Sequence, residues 1–479
     1  MSERSRAPRA TANPGRENPA VLTLALGALL AAFSPQDPLA LVGGMLHDGS
    51  GGPAIADSVV ILRDGLIEKV GRRDAVSIPD GMRVIDVRGR HITPGLIDTH
   101  VHYSQTGWAD GRPDAHDVRA AHPYEVAMAE NAAHPERFHL AFLHSGVTAV
   151  FDVGGYPWTR LLRAATENDP LAPHVSAAGA LLTAFDPHLS LPDQSQFVFP
   201  TDEAQARAFV HSHKAWGSDA IKVWYVVASD HGVEDFAPIV RAIGDEAKKV
   251  GIPMIVHATT LETARIAVAA GASLLVHSVE DHEVDDDFVA AIVEAGTIYC
   301  PTLTVRRGYA LLYQCALDDE VKGQLDDVHP SVRARVLETL DLPHDQRSSP
   351  RAVQAMAKRL ELQAGTMARN LVRLHAAGVP IAMGTDAGNP LTLHGPSVFP
   401  EMEAMQAAGL SANDVLVAST RDAARAMGRG SDLGLVAPGY VADLLVLKDD
   451  PSQDAKAWRS IETICRSGAL HERASLRQH

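Results

Sequence analysis

The stretch that decides the fold reads LIDTHVH and runs from Leu96 to His102. It is the first of eight short apolar runs, and Ala- and Leu-rich stretches with helical periodicity lie between most of them. The eight runs occupy residues 96–102, 146–155, 174–183, 219–227, 252–258, 273–279, 297–303 and 380–388. Because each run is apolar on both faces, the alternation predicts an α/β fold, a (β/α)8 TIM-like barrel with its active site at the carboxyl ends of the strands.

Segments of a different texture flank this region. Residues 38–95 alternate apolar residues with Asp-Gly and Gly-Gly turns, a pattern that predicts short antiparallel strands, and residues 426–479 return to a similar strand-and-turn texture. We expect these two segments to form one small β-sandwich domain, with the barrel of residues 96–425 inserted between them. The stretches 103–124 and 304–358 exceed normal loop length, and we expect the second to be a lid over the site.

The N-terminus has the pattern of a targeting segment. Four arginines within residues 1–19 precede an apolar run from Ala20 to Phe33. Fourteen apolar residues are too few to span a bilayer comfortably, but they suit a signal peptide. Residues 1–37 are therefore predicted to be a signal peptide or an N-terminal anchor, which implies an exported, periplasmic or secreted bacterial protein. Any association with a membrane would be through this segment alone. The alternative to a targeting segment is an ordinary buried N-terminal helix.

Charge and cysteine content exclude several classes of protein. The chain has 43 Lys and Arg against 59 Asp and Glu, a net charge of −16, and lacks the clustered basic runs that bind a phosphate backbone. We therefore expect no nucleic-acid partner. Cys300, Cys315 and Cys465 lie far apart, without Cys-x-x-Cys spacing, and are predicted to be unpaired thiols.

Histidine is over-represented, with 23 residues, and two His-x-His pairs occur. His100 and His102 lie on a predicted strand, where residues two apart point to the same face and can share a metal ion. His211 and His213 lie in a helical pattern, where residues two apart diverge by about 200°. We expect the second pair to be solvated.

Further candidate ligands follow from their positions on other strands. Lys222 stands between apolar residues of a parallel strand, where a charged amine is costly unless it is neutralised or paired. His257, His277 and Asp386 end the fifth, sixth and eighth runs. All these residues, with His100, are predicted at the catalytic face of the barrel, and each can ligate a metal.

Over nearly its whole length the chain resembles the amidohydrolase superfamily. The resemblance is carried by GGMLHDGSGG, PGLIDTHVHY, MGTDAG and APGYVADLLVL, together with the Lys222, His257 and His277 strands. It is most similar to the imidazolonepropionase-related members that include prolidase-like dipeptidases. True imidazolonepropionases use one metal ion and lack the bridging lysine, so Lys222 argues against that activity.

The resemblance implies a binuclear centre and a mechanism. His100, His102 and Asp386 would hold one zinc ion and His257 and His277 the other, while Lys222, carboxylated to a carbamate, would bridge both. A metal-bridging hydroxide would attack an amide carbon, and Asp386 would be the catalytic proton carrier.

The predicted substrate is a dipeptide or an N-acyl amino acid. Two alternatives stay open: a cyclic amide or lactone hydrolase, and an exported binding protein without activity. A homo-oligomer is compatible with the sequence. Weaker substrate-binding candidates are His394, Tyr225, Arg306, Arg307 and Tyr103, and Trp108 is a candidate wall of the site. Ordinary packing or solvation is the alternative for each of them.

Overall fold

The computed structural model describes residues 37–478, except residues 186, 188, 228–231 and 343–348. Apart from Asp37, the segment predicted as a signal peptide or anchor lies outside the described residues. Among the helices in the described part of the chain, none is both long and apolar enough to cross a membrane.

Six strands precede the barrel region. They are β1 (Leu39–Val42), β2 (Met45–Leu46), β3 (Ser58–Arg63), β4 (Leu66–Arg72), β5 (Arg83–Asp86) and β6 (His91–Pro94). Four of them form a sheet of order β4-β3-β1-β5. The hairpin from β3 to β4 turns through Asp64 and Gly65, both with positive φ, as the Asp-Gly signal predicts.

Nine strands follow in the predicted barrel region. They are β7 (Leu96–Val101), β8 (Val147–Asp152), β9 (His174–Ala177), β10 (Leu181–Thr183), β11 (Phe197–Val198), β12 (Ile221–Trp224), β13 (Met254–His257), β14 (Leu274–Val276) and β15 (Ile298–Cys300). They form two sheets, of order β7-β8-β9 and β11-β10-β12-β13-β14-β15, and every pairing in them is parallel. Seven of the eight predicted runs thus contain strands.

The eighth run departs from the predicted strand. Residues 380–388 form only isolated bridges, which join Ile381 to Tyr299 of β15 and Ala387 to Val101 of β7. The backbone leaves the extended conformation because Asp386 has a φ of 64°. The run still lies between β15 and β7, but the ladders do not close into one continuous barrel sheet.

The third run also differs from its prediction. It divides into β9 and β10 because Gly179, between them, has a φ of 79°, which interrupts an extended strand. The two sheets meet at this division, and the main-chain nitrogen of Asp219, ahead of β12, donates to the carbonyl oxygen of Ala177 in β9 at 2.9 Å.

Fourteen α-helices cover the described strands. They are α1 (Tyr124–Ala133), α2 (Glu136–His144), α3 (Leu162–Thr166), α4 (Glu203–Ala215), α5 (Val233–Val250), α6 (Leu261–Ala269), α7 (Asp286–Ala295), α8 (Val305–Gln314), α9 (Asp319–Gln324), α10 (Pro330–Leu337), α11 (Pro350–Ala376), α12 (Val398–Ala408), α13 (Ala412–Ala418) and α14 (Arg421–Ala426). Helices α8, α9, α10 and the start of α11 occupy the stretch predicted as a lid.

Three strands complete the chain: β16 (Leu444–Leu447), β17 (Ile461–Arg466) and β18 (Ala469–Glu472). They join strands of the N-terminal segment in a sheet of order β18-β17-β16-β6-β2. One apolar cluster contains Leu41 and Val60 from the N-terminal strands and Leu444 from β16. The expectation of purely antiparallel strands is wrong, since β1 pairs in parallel with β5 and β2 with β6. Both pairs are joined by connections longer than a hairpin turn.

Candidate metal centre

One cavity of about 190 Å³ opens at the carboxyl ends of the barrel-region strands. Polar side chains from five of the predicted strand runs line it: His100, His102, Lys222, His257, His277 and Asp386. All six side chains that the sequence analysis selected as metal ligands therefore meet at one place.

The carboxylate of Asp386 stands among the imidazoles. Its Oδ1 lies 3.1 Å from Nε2 of His100 and 3.0 Å from Nε2 of His102. Its Oδ2 lies 4.0 Å from Nε2 of His277. The ring of His277 in turn lies 4.3 Å, centroid to centroid, from the ring of His257. The cluster is compact enough for its members to share metal ions.

A buried carboxylate that the sequence analysis did not select holds two of the ligand-bearing segments together. Asp98 accepts hydrogen bonds from the main-chain nitrogens of His100 at 3.1 Å and Thr385 at 3.0 Å. The Thr385 hydroxyl donates to the same carboxylate at 2.6 Å. Asp98 thereby couples the backbone beside His100 to the backbone beside Asp386. It lies within the LIDTHVH run, two residues before His100, so strand periodicity could have placed it on the same face.

The close approach of these segments requires glycine at position 384. A Cβ atom there would lie 2.8 Å from Cβ of His100 and 2.6 Å from Sγ of Cys300. Both distances are shorter than a van der Waals contact, so a side chain at Gly384 would displace His100 from its position.

Hydrogen bonds fix the orientation of two imidazoles. Nδ1 of His102 lies 2.6 Å from the carbonyl oxygen of Gly154, and because a carbonyl can only accept, Nδ1 carries the hydrogen. In the neutral ring the lone pair of Nε2 then faces the Asp386 carboxylate at 3.0 Å. Nδ1 of His277 lies 2.6 Å from Oγ1 of Thr302. Metal-ligating histidines typically use their second nitrogen in this way.

Burial decides the protonation states of the cluster. It lowers the pKa of His100 to about 3 and those of His257 and His277 well below the usual range, so these rings are neutral. Burial would raise the pKa of Asp386, but electrostatic attraction to the nearby His100 imidazole outweighs it and holds the pKa well below the usual carboxyl range. The centre thus combines neutral imidazoles with an anionic carboxylate, the donor set of a divalent transition metal.

Lys222 is buried in the same cavity. Among the described residues, no carboxylate oxygen lies within 4.0 Å of its Nζ, and burial lowers its pKa to about 8. About a tenth of this amine is therefore uncharged at pH 7, a far larger fraction than in an exposed lysine.

Three of the weaker candidates do not line the cavity. Tyr225 donates from its hydroxyl to the carbonyl oxygen of Val233 at 2.7 Å. His394 lies behind the ligands: its Nε2 is 3.1 Å from the carbonyl oxygen of His102, and its ring stacks on Phe138. Tyr103 is fully buried in the apolar core. These side chains contact the scaffold of the centre and not its cavity.

The two arginines after the seventh run have different positions. Arg306 lines the cavity and pairs with Glu280, which also lines it. Arg307 pairs with Asp318 and is absent from the lining. Trp108, the proposed wall, is buried outside the lining and donates from Nε1 to Oγ1 of Thr339 at 2.9 Å.

Further lining residues were missed by the sequence analysis. Arg112, from the first long loop, contacts Asn389 and Asp114 through its guanidinium, and Tyr309 of α8 donates from its hydroxyl to Asn389. No motif marks these positions. Trp224 could have been found, because it is two residues beyond Lys222 on the same strand and so faces the same side.

The long insertion borders the cavity. Val305, Arg306 and Tyr309 of α8 contribute side chains to its lining, and Met367, in the part of α11 beyond the insertion, contributes another. Helices α8 and α11 thus lie at the edge of the cavity.

The second His-x-His pair lies on α4, away from the centre. His211 is largely exposed and faces Glu246 at 3.0 Å. His213 is buried against the carbonyl oxygens of Phe209 and Ala180, so the expectation of a solvated side chain is wrong for it. The three cysteines are free and buried, as predicted.

The model of the amidohydrolase family matches residues 91–468. The chain belongs to the amidohydrolase family. This membership confirms the predicted enzyme class, a hydrolase acting on carbon–nitrogen bonds.

The proteins similar to this amidohydrolase carry the names of several different enzymes. Imidazolonepropionase of Rhizorhabdus wittichii is 26% identical over 430 residues, covering 83% of this chain and 90% of that protein. A dihydroorotase of Anaeromyxobacter dehalogenans is 39% identical over 87 residues, but this match spans only 18% of this chain and 19% of that protein. The crystal structure of a Xaa-Pro dipeptidase with bound methionine in the active site covers 91% of this chain and 100% of its own, with a TM-score of 0.70. Its 22% identity makes this a likeness of fold.

Proposed function

We propose that this amidohydrolase cleaves the C–N amide bond of a dipeptide or an N-acyl amino acid at a binuclear centre, with zinc as the proposed metal. The barrel would present this centre on its catalytic face. The observation that carries the proposal is the contact between Nε2 of His102 and Oδ1 of Asp386. A nitrogen lone pair and an anionic oxygen 3.0 Å apart repel unless a proton or a metal ion lies between them.

The residues present fit two metal ions. His100, His102 and Asp386 would hold one ion, and His257 and His277 the other. The neutral amine of Lys222 would add to carbon dioxide, forming an N–C bond and releasing a proton. The resulting carbamate would supply oxygen ligands to both ions. Burial favours this reaction because it lowers the pKa of the amine to about 8, which enlarges its uncharged fraction at neutral pH.

The bound ions would supply a water of lowered pKa and a polarised carbonyl. The residues of the chain would do the rest. Asp386 would accept a proton from the attacking water as the C–O bond forms and return it to the leaving nitrogen as the C–N bond breaks. Helices α8 and α11 would limit access of bulk water to the reacting groups.

The cavity favours a substrate with an apolar side chain and a carboxylate. Leu181, Phe197 and Trp224 form an apolar wall, and Arg112 and Arg306 supply guanidinium groups. A guanidinium can bind a carboxylate through two parallel hydrogen bonds. The fold likeness to a Xaa-Pro dipeptidase agrees with such a substrate.

Hydrolysis of a cyclic amide or lactone is the second candidate. It is favoured by the imidazolonepropionase that matches over most of both chains. A single panel separates the candidates: zinc-loaded protein is assayed against dipeptides, N-acyl amino acids, their carboxamide analogues, cyclic amides and lactones. Turnover of ring substrates alone would replace the first candidate by the second.

The variant Asp386→Asn tests the chemistry. We expect it to lower kcat by about 10²–10⁴-fold, the usual effect of losing a general acid–base group. Metal at the centre is measured as zinc per chain in the wild type and in the double variant His257→Asn/His277→Asn. We expect the double variant to retain no more than one ion at the centre. Unchanged turnover in Asp386→Asn would refute the assigned role. No turnover on the whole panel, with metal bound, would favour an inactive binding protein.

A further inference from the structure

We propose a second metal site, separate from the catalytic centre, formed by His47, His91 and Asp450. It would bind one divalent ion of the zinc class. His91 lies in the sheet that joins the two terminal segments, His47 and Asp450 lie just beyond its strands, and none of the three lines the catalytic cavity.

Neighbouring strands bring the three side chains together. In the sheet, β6 lies between β2 and β16. His91 begins β6, where its backbone pairs with Met45 of β2 on one side and with Leu447 of β16 on the other. His47 directly follows β2, and Asp450 comes three residues after β16. The cluster is therefore fixed by strand register.

The ligand atoms have the separations of a metal site. Nε2 of His47 lies 3.1 Å from Nδ1 of His91 and 3.3 Å from Oδ1 of Asp450, and the last two atoms are 3.9 Å apart. Ligands about 2.0–2.2 Å from a tetrahedral zinc ion lie roughly 3.3–3.6 Å from one another. Small shifts of the side chains would place all three atoms around one ion.

Without an ion, Nε2 of His47 cannot donate to both of its close neighbours. Nε2 of His47 faces both a ring nitrogen and a carboxylate oxygen, but a neutral ring has at most one hydrogen to offer there. A divalent ion would satisfy all three ligand atoms at once.

The surroundings provide support and access. The main-chain nitrogen and the hydroxyl of Ser452 donate to Oδ1 of Asp450 at 2.9 and 2.7 Å, which orients the carboxylate. His47 is buried, whereas the side chain of Asp450 is 32% exposed and both line a surface cavity. An ion can therefore reach the site from solvent, and water would complete its coordination.

The site would act as a cross-link. His47 and Asp450 are about 400 residues apart in the chain, so an ion between them would join the two terminal segments across β6. An ion that binds only the folded state stabilises it by mass action. We expect this role to be structural and independent of turnover.

Metal analysis of the full-length zinc-loaded protein tests the site. After dialysis against metal-free buffer, zinc per chain is measured by mass spectrometry in wild type and in His91→Asn. We expect the variant to lose one equivalent, to keep its hydrolytic activity and to unfold at a lower temperature. The matched control is His134→Asn, an exposed histidine that also pairs with a carboxylate, and it should lose no zinc.

A second background separates this site from the catalytic one. In His257→Asn/His277→Asn, cobalt(II) is titrated and its visible absorption recorded. In this variant the absorption of histidine-ligated cobalt should reach saturation. The number of cobalt equivalents bound at saturation should fall by one when His91→Asn or Asp450→Asn is added. Equal metal content with and without His91, or equal cobalt spectra, would overturn the second site whether or not the catalytic centre is binuclear. If His91→Asn does not fold, Asp450→Asn supplies the same comparison.

Discussion

Thr302 should control the metal affinity of the proposed catalytic centre without contacting a metal ion. Its Oγ1 lies 2.6 Å from Nδ1 of His277, and both residues are buried. In the proposed centre Nε2 of His277 binds the metal ion, so Nδ1 carries the hydrogen and donates it to Oγ1. In the variant Thr302→Val, a methyl group replaces the hydroxyl, and the ring N–H has no acceptor there. A buried donor without a partner costs about 1–3 kcal/mol. Loss of a partner to a metal-ligating histidine lowers metal affinity or activity by about 10–100-fold, which agrees with that range.

The assay is competition for zinc between the metal-free protein and a chelator of known affinity, with kcat measured at saturating zinc. We expect Thr302→Val to bind zinc about 10–100-fold more weakly. Thr302→Ser keeps the acceptor and should retain the affinity. Thr339→Val is a matched control, since Thr339 is also buried and accepts from a ring N–H, that of Trp108, outside the cavity lining. Wild-type zinc affinity in Thr302→Val, or an equal loss in Thr339→Val, would refute the reasoning.

Three further predictions concern residues of the cavity and its scaffold. Burial lowers the pKa of Lys222 to about 8, so the folded metal-free protein binds fewer protons than the unfolded chain between pH 8 and about 10. Its free energy of unfolding in urea should therefore rise with pH in that window, and Lys222→Met should remove at most about 3 kcal/mol of this rise. Arg112→Met should raise KM for substrates with a free carboxylate and leave their carboxamide analogues unaffected; Arg307→Met, with its side chain outside the cavity, should change neither KM. Tyr225→Phe removes the hydrogen bond to Val233 and should lower the free energy of unfolding by about 1 kcal/mol with an unchanged KM, whereas a raised KM would return Tyr225 to the substrate site.

Strand periodicity explains why the clustering of these side chains could be predicted from the sequence. His100 and His102 are two residues apart on one run, and Lys222 interrupts an apolar run, so each stands out against a regular pattern. The same rule, applied one step further, would have selected Trp224 and rejected Tyr225, because alternate residues of a strand face opposite sides.

Residues on long loops could not be predicted in this way. Arg112 reaches the cavity from the first loop, and Tyr309 reaches it from α8, through contacts between segments far apart in the chain. His394 shows the converse: it is near the ligands in space, yet Phe138 and the carbonyl oxygen of His102 hold it behind them. The sequence around each of these residues carries no periodic signal for its position.

The main error about the fold and the position of Asp386 in the candidate centre have one structural cause. Asp386 and His277 both have left-handed backbones, with φ of 64° and 73°, a conformation that is unfavourable for residues other than glycine. Hydrogen bonds from their main-chain nitrogens to the carbonyl oxygens of His100 at 2.7 Å and Cys300 at 2.9 Å hold them there. At Asp386 this turn ends the extended backbone that the eighth run was expected to form. It also leaves the carboxylate between His100 and His102. A strand that continued through residue 386 would complete the ladder, but it would not leave the carboxylate where the structure has it.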